Sequence, residues 1–363
     1  MGMFGDESDG LPVGRLRTSR VIAGAGLLLL VVAGCGGGLK SEAWSCADEG
    51  REGCPRWSSA LAVEPSRGLS WEIDEGFLLE HHTVPTILVL NGGGYLLFTS
   101  SPARGRISIH RSSDGLTWSP SGELTSEGLP EVCGTTLLDL SVRYLSNGGY
   151  RLLVESWRRE QGVMRPGPAR MDEADPDARP IAICGWESSD GSAWAPLSEE
   201  QFEVERGSWP SGFETLEMGD GALHYFVDTW PEVDGIRVAR AAGDGAPRNP
   251  GKERLLGRSH VDPNPVRLVG GGVRLYHTHD ALSGGFGFAE SGDGLRFGED
   301  RPLQGLSGLT CYTPPEQPSD PDHCLFDPFY LRLDDGRMVL YFGSFQTTEE
   351  GERRGIGRAF AVD

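Results

Sequence analysis

Four acidic residues stand at the openings of apolar runs. They are Asp139 in Leu138-Asp139-Leu140, Glu214 in Phe213-Glu214-Thr215-Leu216, Asp262 in Asp262-Pro263 and Asp327 in Asp327-Pro328. A charge among apolar strand residues is otherwise unwelcome. Carboxyls held close split their pKa values, which keeps one of them protonated as an acid. Such a pair is what glycosidic bond hydrolysis requires: one acid for the leaving oxygen, one base or nucleophile. Asp262 and Asp327 fit backbone capping as well as chemistry. Glu caps turns less readily than Asp, so Glu214, paired with Asp139, points to function ahead of structure.

The elements that must position these residues are β-hairpins. One signature recurs as Ser112-Ser113-Asp114-Gly115-Leu116-Thr117-Trp118, Ser188-Ser189-Asp190-Gly191-Ser192-Ala193-Trp194 and Ser291-Gly292-Asp293-Gly294-Leu295-Arg296-Phe297. Ser66-Arg67-Gly68-Leu69-Ser70-Trp71 is a copy with Arg for Asp, and Gly243-Asp244-Gly245 is a degenerate one. Asp caps its own backbone and Gly supplies positive φ, so each copy is a turn ahead of an aromatic strand. A second signature alternates with it: an apolar run, a Gly-rich turn, then an aromatic-rich strand. Thr86 to Leu90, Asn91-Gly92-Gly93-Gly94 and Tyr95 to Phe98 make the first of five copies.

The aligned starts of those copies are Val84, Asp139, Glu214, Asp262 and Asp327. They lie roughly 61 residues apart on average, the length of a four-stranded blade with generous loops. After Asp327 there is room for only about three strands. The orphan copy at Ser66–Trp71 supplies the fourth, so the ring closes with its own N-terminal strand and hides both sheet edges. The fold expected over residues 66–363 is all-β: a five-bladed β-propeller of four-stranded antiparallel blades. In such a ring the first strand of each blade lines the central channel, and the five starts converge at one mouth.

With those carboxylates on those blades, the chain resembles the five-bladed propeller glycoside hydrolases: arabinanases, β-xylosidases, invertases and levansucrases. In that superfamily blade one supplies an Asp base or nucleophile, blade two an Asp that orients or tunes, and blade three a Glu acid. The resemblance implies Glu214 as general acid and Asp139 as tuner. Blade one departs from the pattern, with Val84-Pro85 where the family has Asp before Pro. The base is then expected from Asp262, Asp327 or His82. The alternative is a propeller that binds glycan, or a protein partner, without catalysis.

Other residues suit a sugar site. His260 stands two residues before Asp262, so alternation puts both on one face, and His277 and His279 have the same spacing. Trp157, Trp186, Trp209 and Trp230 fall near loop or strand ends of blades two and three, where an aromatic face could meet a sugar. The long charged segment from Arg158 to Arg179 interrupts blade two. The chemistry requires no cofactor and no metal; Ca²⁺ is the cation that carboxylates at the mouth could hold.

The N-terminus reads as an address. Arg15, Arg17 and Arg20 precede an apolar run from Val21 to Gly34, too short to span a bilayer, and Val32-Ala33-Gly34-Cys35 resembles a bacterial lipobox. Residues 1–34 are thus expected as a lipoprotein signal peptide, Cys35 as the lipidated residue, and 35–65 as a flexible tether. The expected location is the cell envelope, with the membrane reached through the lipid alone. Export suits six further cysteines, Cys46, Cys54, Cys133, Cys184, Cys311 and Cys324, an even number that allows 15 pairings. Cys46–Cys54 and Cys311–Cys324 would close short loops, which leaves Cys133–Cys184. Lys and Arg number 33 against 53 Asp and Glu, a net charge of −20. Such a body repels nucleic acid. A monomer that meets a poly- or oligosaccharide is the expected state.

Overall fold

The computed structural model describes residues 55–101, 105–157, 181–202, 210–218, 221–228, 235–245, 255–257, 260–279, 285–306, 324–348 and 351–363. A short helix α1 (Arg56–Ala60) leads into β1 (Ala62–Val63), β2 (Trp71–Ile73) and β3 (Leu79–Glu80). Five antiparallel sheets follow. Blade one is β4 (Thr83–Val89), β5 (Tyr95–Ser101), β6 (Arg106–Ser112) and β7 (Ser119–Thr125). Blade two is β8 (Thr136–Tyr144), β9 (Tyr150–Trp157), β10 (Ile181–Ser188) and β11 (Ala195–Pro196). The described strands of blade three are β12 (Pro210–Met218), β13 (Gly221–Asp228) and β14 (Ile236–Ala242). Blade four is β15 (His260–Leu268), β16 (Val273–His279), β17 (Gly285–Ser291) and β18 (Arg301–Pro302). Blade five is β19 (Cys324–Arg332), β20 (Met338–Thr348) and β21 (Gly351–Ala361), closed by β2, with Trp71 opposite Ala361. The chain is a five-bladed β-propeller whose last blade takes its outer strand from the N-terminal side, as the orphan repeat predicts.

The repeated signature works as a turn and as an inter-blade anchor. Ser112 Oγ accepts the Gly115 N–H at 2.8 Å, and Asp114 Oδ1 accepts those of Leu116 and Thr117 at 2.8 and 2.9 Å. Ser188 with Asp190, and Ser291 with Asp293, repeat the pattern. The aromatic that ends each copy then meets, edge-on, an aromatic of the preceding blade's second strand. Trp118 meets Tyr341 at 6.1 Å, Trp194 meets Phe98 at 5.3 Å, Phe297 meets Tyr225 at 6.1 Å and Trp71 meets Tyr276 at 6.3 Å. Such pairs stabilise by about 1 kcal/mol each beyond the area they bury. Gly115 is required twice over: its φ is +73°, and a Cβ there would lie 2.6 Å from Leu333 Cδ2. In the orphan copy Arg67 replaces the Asp. The carboxylate of Asp363 takes its place and accepts the N–H groups of Gly68, Leu69 and Ser70 at 2.8, 2.7 and 2.9 Å.

The stretch 55–64 differs from the expected tether. Trp57 stacks on Tyr144 with centroids 4.6 Å apart, and the Arg267 guanidinium lies 5.1 Å from the Trp57 ring. Arg56 reaches the Asp334 carboxylate at 2.6 Å and the Gly94 carbonyl at 2.9 Å. β1 adds to blade four, parallel to the end of β15, with Ala62 beside Arg267. These partners all stand at the far ends of first strands or in the turns that follow them, so α1 and β1 plug the end of the ring remote from the blade starts. The physical reason is apolar side chains: Ala60, Ala62 and Val63 are buried, and Trp57 and Leu61 pack on two core clusters.

Cys133 and Cys184 form a disulfide across blade two, with Cα atoms 6.2 Å apart. Cys324 is also disulfide-bonded. Cys35, Cys46, Cys54 and Cys311 lie outside the described residues, as do the whole signal segment and Arg158 to Arg179.

Candidate active site

Every first strand carries a β-bulge near its start, and the bulges define which residues are equivalent. The skipped pairs are Val84-Pro85 in blade one, Leu138-Asp139 in blade two, Gly212-Phe213 in blade three, Asp262-Pro263 in blade four and Asp327-Pro328 in blade five. Val84, Gly212, Asp262 and Asp327 adopt left-handed φ values of 53°, 52°, 52° and 51°. That conformation is uncommon outside Gly and costly for a β-branched residue, so its repetition marks a shared constraint of the mouth. The alignment by sequence therefore needs correction. Asp262 and Asp327 match Val84, whereas Asp139 stands one step further along its bulge and Glu214 two. Their side chains still converge: one pocket on the axis is lined by Val84, Asp139, Gly212, Glu214, Asp262 and Asp327, among others. Its volume is about 20 Å³, room for about one water molecule.

Glu214 is held by three blades. Its Oε1 accepts the Thr86 hydroxyl of blade one at 3.0 Å. Its Oε2 accepts the Ser141 hydroxyl of blade two at 2.8 Å and the Thr215 N–H of its own strand at 2.8 Å. Burial disfavours the ionised form more than these donors favour it, and the pKa is pushed up to about 7.

The other carboxyls form two proton-sharing pairs. Asp139 Oδ2 accepts the Gly212 N–H at 2.8 Å, and its carboxyl partner is Glu155 on β9. Burial, then the charge of Asp139, holds Glu155 well above the usual carboxylate range, so that Glu155 donates to Asp139. The Trp157 indole N–H donates to Glu155 as well. Asp262 Oδ2 accepts the Thr278 hydroxyl at 2.7 Å; burial, then the charge of Asp139, pushes its pKa up to about 6. Asp327 is raised well above its ordinary value by burial and then by the charge of Asp262. The mouth thus holds its protons more tightly on Glu155 and Asp327, with Asp262 the more readily ionised partner.

Among sequence-predicted residues, Asp139, Glu214, Asp262 and Asp327 meet at this pocket. His82 does not line it: its Nδ1 lies 2.8 Å from the Thr99 hydroxyl and its ring packs edge-on against His110. Trp157 reaches the site only through Glu155. Trp186 is 2% exposed in the hydrophobic core, so it offers no face to a sugar; its place in the middle of β10 explains this. Trp209 and Trp230 lie outside the described residues. His260 belongs to a separate cluster with His277, His279 and Asp300. Sequence reasoning misses Glu155 and Asp300. Glu155 left a signal, a lone acid in the apolar run Leu152-Leu153-Val154-Glu155. Asp300 left none.

The fold is shared with family-43 glycoside hydrolases. A thermostable family-43 enzyme superposes with a TM-score of 0.53 at 12% identity, over 80% of this chain and 96% of that one. An α-L-arabinofuranosidase from Lactobacillus brevis gives 0.53 at 13% identity, over 77% and 91%. A family-43 β-1,3-galactosidase with galactodeoxynojirimycin gives 0.52 at 12% identity, over 80% and 93%. No protein-family model matches the sequence, and no curated protein matches it.

Proposed function

We propose that this chain is a cell-envelope lipoprotein whose propeller hydrolyses glycosidic bonds at the axial mouth. The observation that carries the reading is the contrast between Glu214 and Asp262 in one pocket. Glu214, with a pKa pushed up to about 7, still holds its proton in about half of the molecules at neutral pH, while Asp262, at about 6, has largely lost its own. Glu214 gives its proton to the leaving glycosidic oxygen as that bond breaks. Asp262 takes a proton from the attacking water, for which the pocket has room. Asp139 tunes Asp262 through its charge, and Asp327 hydrogen-bonds it. Family-43 structures with arabinofuranosidase and galactosidase names support a carbohydrate as the partner of this fold. The run Val21 to Gly34 ahead of Cys35 supports the lipid anchor.

The test is turnover on arabino-, xylo- and galacto-oligosaccharides, wild type against Glu214→Gln. Release of reducing sugar by the wild type, lost about 100-fold or more in the variant, is the expected result. A variant that retains full rate removes Glu214 from the acid role. Val84 on blade one favours a second reading, a glycan-binding propeller without catalysis. It predicts binding on a glycan array with no turnover by the wild type. For the anchor, Cys35→Ser should move the protein from the membrane fraction to the soluble fraction.

A further inference from the structure

Three histidines surround one carboxylate at the edge of blade four, and the glycan reading uses none of them. His260 opens β15, and His279 ends β16 directly opposite it. His277 stands two residues earlier on β16, and Asp300 precedes β18. The Nε2 atoms of His260 and His279 both lie 2.9 Å from the same oxygen, Asp300 Oδ2. The His277 Nε2 lies 2.9 Å from the other oxygen, Oδ1.

The tautomer of His260 is fixed by its far side. Its Nδ1 lies 3.0 Å from the carbonyl oxygen of Gly257, which can only accept, so Nδ1 carries a proton. The other ring nitrogen, Nε2, points at Asp300 Oδ2. With Nδ1 protonated, Nε2 at 2.9 Å from Asp300 Oδ2 carries either a second proton, donated to that oxygen, or a metal ion in the proton's place. A histidine that donates one ring N–H to a backbone carbonyl and aims the other nitrogen at a shared point is the usual arrangement of a metal ligand. The carboxylate is oriented in the same manner. His277, fully buried, holds Oδ1 and leaves Oδ2 facing His260 and His279.

We propose that His260 Nε2, His279 Nε2 and Asp300 Oδ2 bind a first-row transition metal ion, Zn²⁺ before others. Ligand atoms of the three residues lie within 4.8 Å of one another. Two ligands about 2.0 Å from one tetrahedral ion stand roughly 3.3 Å apart, so small side-chain shifts admit the ion. Two imidazoles and one carboxylate suit zinc better than calcium, which takes six to eight oxygens. The His279 side chain is 45% exposed, which gives the ion an entry path and leaves a fourth position for water. His277 acts as a positioning residue for Asp300. Bound metal would clamp the edge of blade four two residues ahead of Asp262. The proposal does not depend on the glycan reading.

The experiment uses the full mature chain, freed of any histidine tag and treated with EDTA. Zn²⁺ is titrated by calorimetry at pH 7.5, and Co²⁺ is added in parallel for its visible absorption bands. The expected result is one Zn²⁺ per chain with Kd about micromolar or tighter, Co²⁺ bands of a four- or five-coordinate site, and no response to Ca²⁺. His279→Ala removes a half-exposed side chain and should leave circular dichroism unchanged while it weakens Zn²⁺ at least about 10-fold. Asp300→Asn should do the same. Zinc binding that is absent, or that survives both variants unchanged, overturns the proposal.

Discussion

The side chain of Asp327 donates a hydrogen bond to the carboxylate of Asp262, and the Asp327 backbone N–H approaches the same group at 3.4 Å. Both residues sit at the same step of equivalent bulges, with nearly equal left-handed φ. The neighbouring blade thus offers Asp262 two donors from one residue, and the charge of Asp139 opposes them. The balance keeps Asp262 ionisable near neutral pH in spite of its burial.

Substitution at Asp327 separates hydrogen bonding from charge. Asp327→Asn keeps a donor towards Asp262 and should leave the acid limb of the pH–rate profile near pH 6. Asp327→Ala removes the donor, so the Asp262 pKa rises and the acid limb moves upward, with roughly tenfold lower turnover at pH 6. The profiles of the two variants decide it; coincident profiles would remove Asp262 from the base role.

Stability should fall as pH rises across the range in which these buried carboxyls ionise. Glu214 has its pKa raised from 4.5 to about 7, and Asp262 and Glu217, which stands further along β12 and pairs with Arg143 at 3.4 Å, are each raised to about 6. The folded chain binds those protons more tightly than the unfolded chain. Their contribution is therefore complete below the ordinary carboxylate pKa and is lost as pH rises through 6 and 7. The melting temperature should drop by several degrees from pH 5 to pH 8, and Glu214→Gln should shrink that drop by about half. Scanning fluorimetry at low ionic strength reads both; a wild-type Tm that climbs over this interval contradicts the assigned shifts.

The blades were legible because their signals are local. A Ser-x-Asp-Gly turn bonds within itself, and the aromatic after it has one place to go, so Trp118, Trp194 and Phe297 announce their blades from sequence alone. The register of the mouth was not legible, because a bulge adds a residue without changing the pattern of apolar side chains. Asp139 and Glu214 therefore look equivalent to Asp262 and are not. The plug at Trp57 to Val63 was hidden by the Gly- and charge-rich residues before it. Asp300 was hidden because it meets His260 and His279 only across the sheet.

The disulfide of blade two should be a large stabilising element. Cys133 and Cys184 are 51 residues apart, and closing a loop of that length stabilises by about 4 kcal/mol in the chain-entropy model. The double variant Cys133→Ser, Cys184→Ser should melt roughly 6 °C lower. Tm measured without reductant, against the wild type, decides it. An unchanged Tm would mean that the bridge constrains little that β9 and β10 do not already hold.

Asp363 should govern how firmly the ring is closed. Its carboxylate is the acceptor for three consecutive N–H groups of the orphan turn, and the Trp71 that follows is 3% exposed beneath it. Asp363→Ala leaves those donors to water, a loss comparable to that of a helix cap, about 1–2 kcal/mol. The Tm should fall by about 2–3 °C. A sharper reading comes from trypsin at Arg67, whose bond is protected only while the turn is closed. Cleavage there should accelerate in Asp363→Ala and less so in Asp363→Asn, which keeps one acceptor oxygen. Equal cleavage rates in all three proteins would show that β2 is held by its pairing with β21 and by Trp71, without help from the carboxylate.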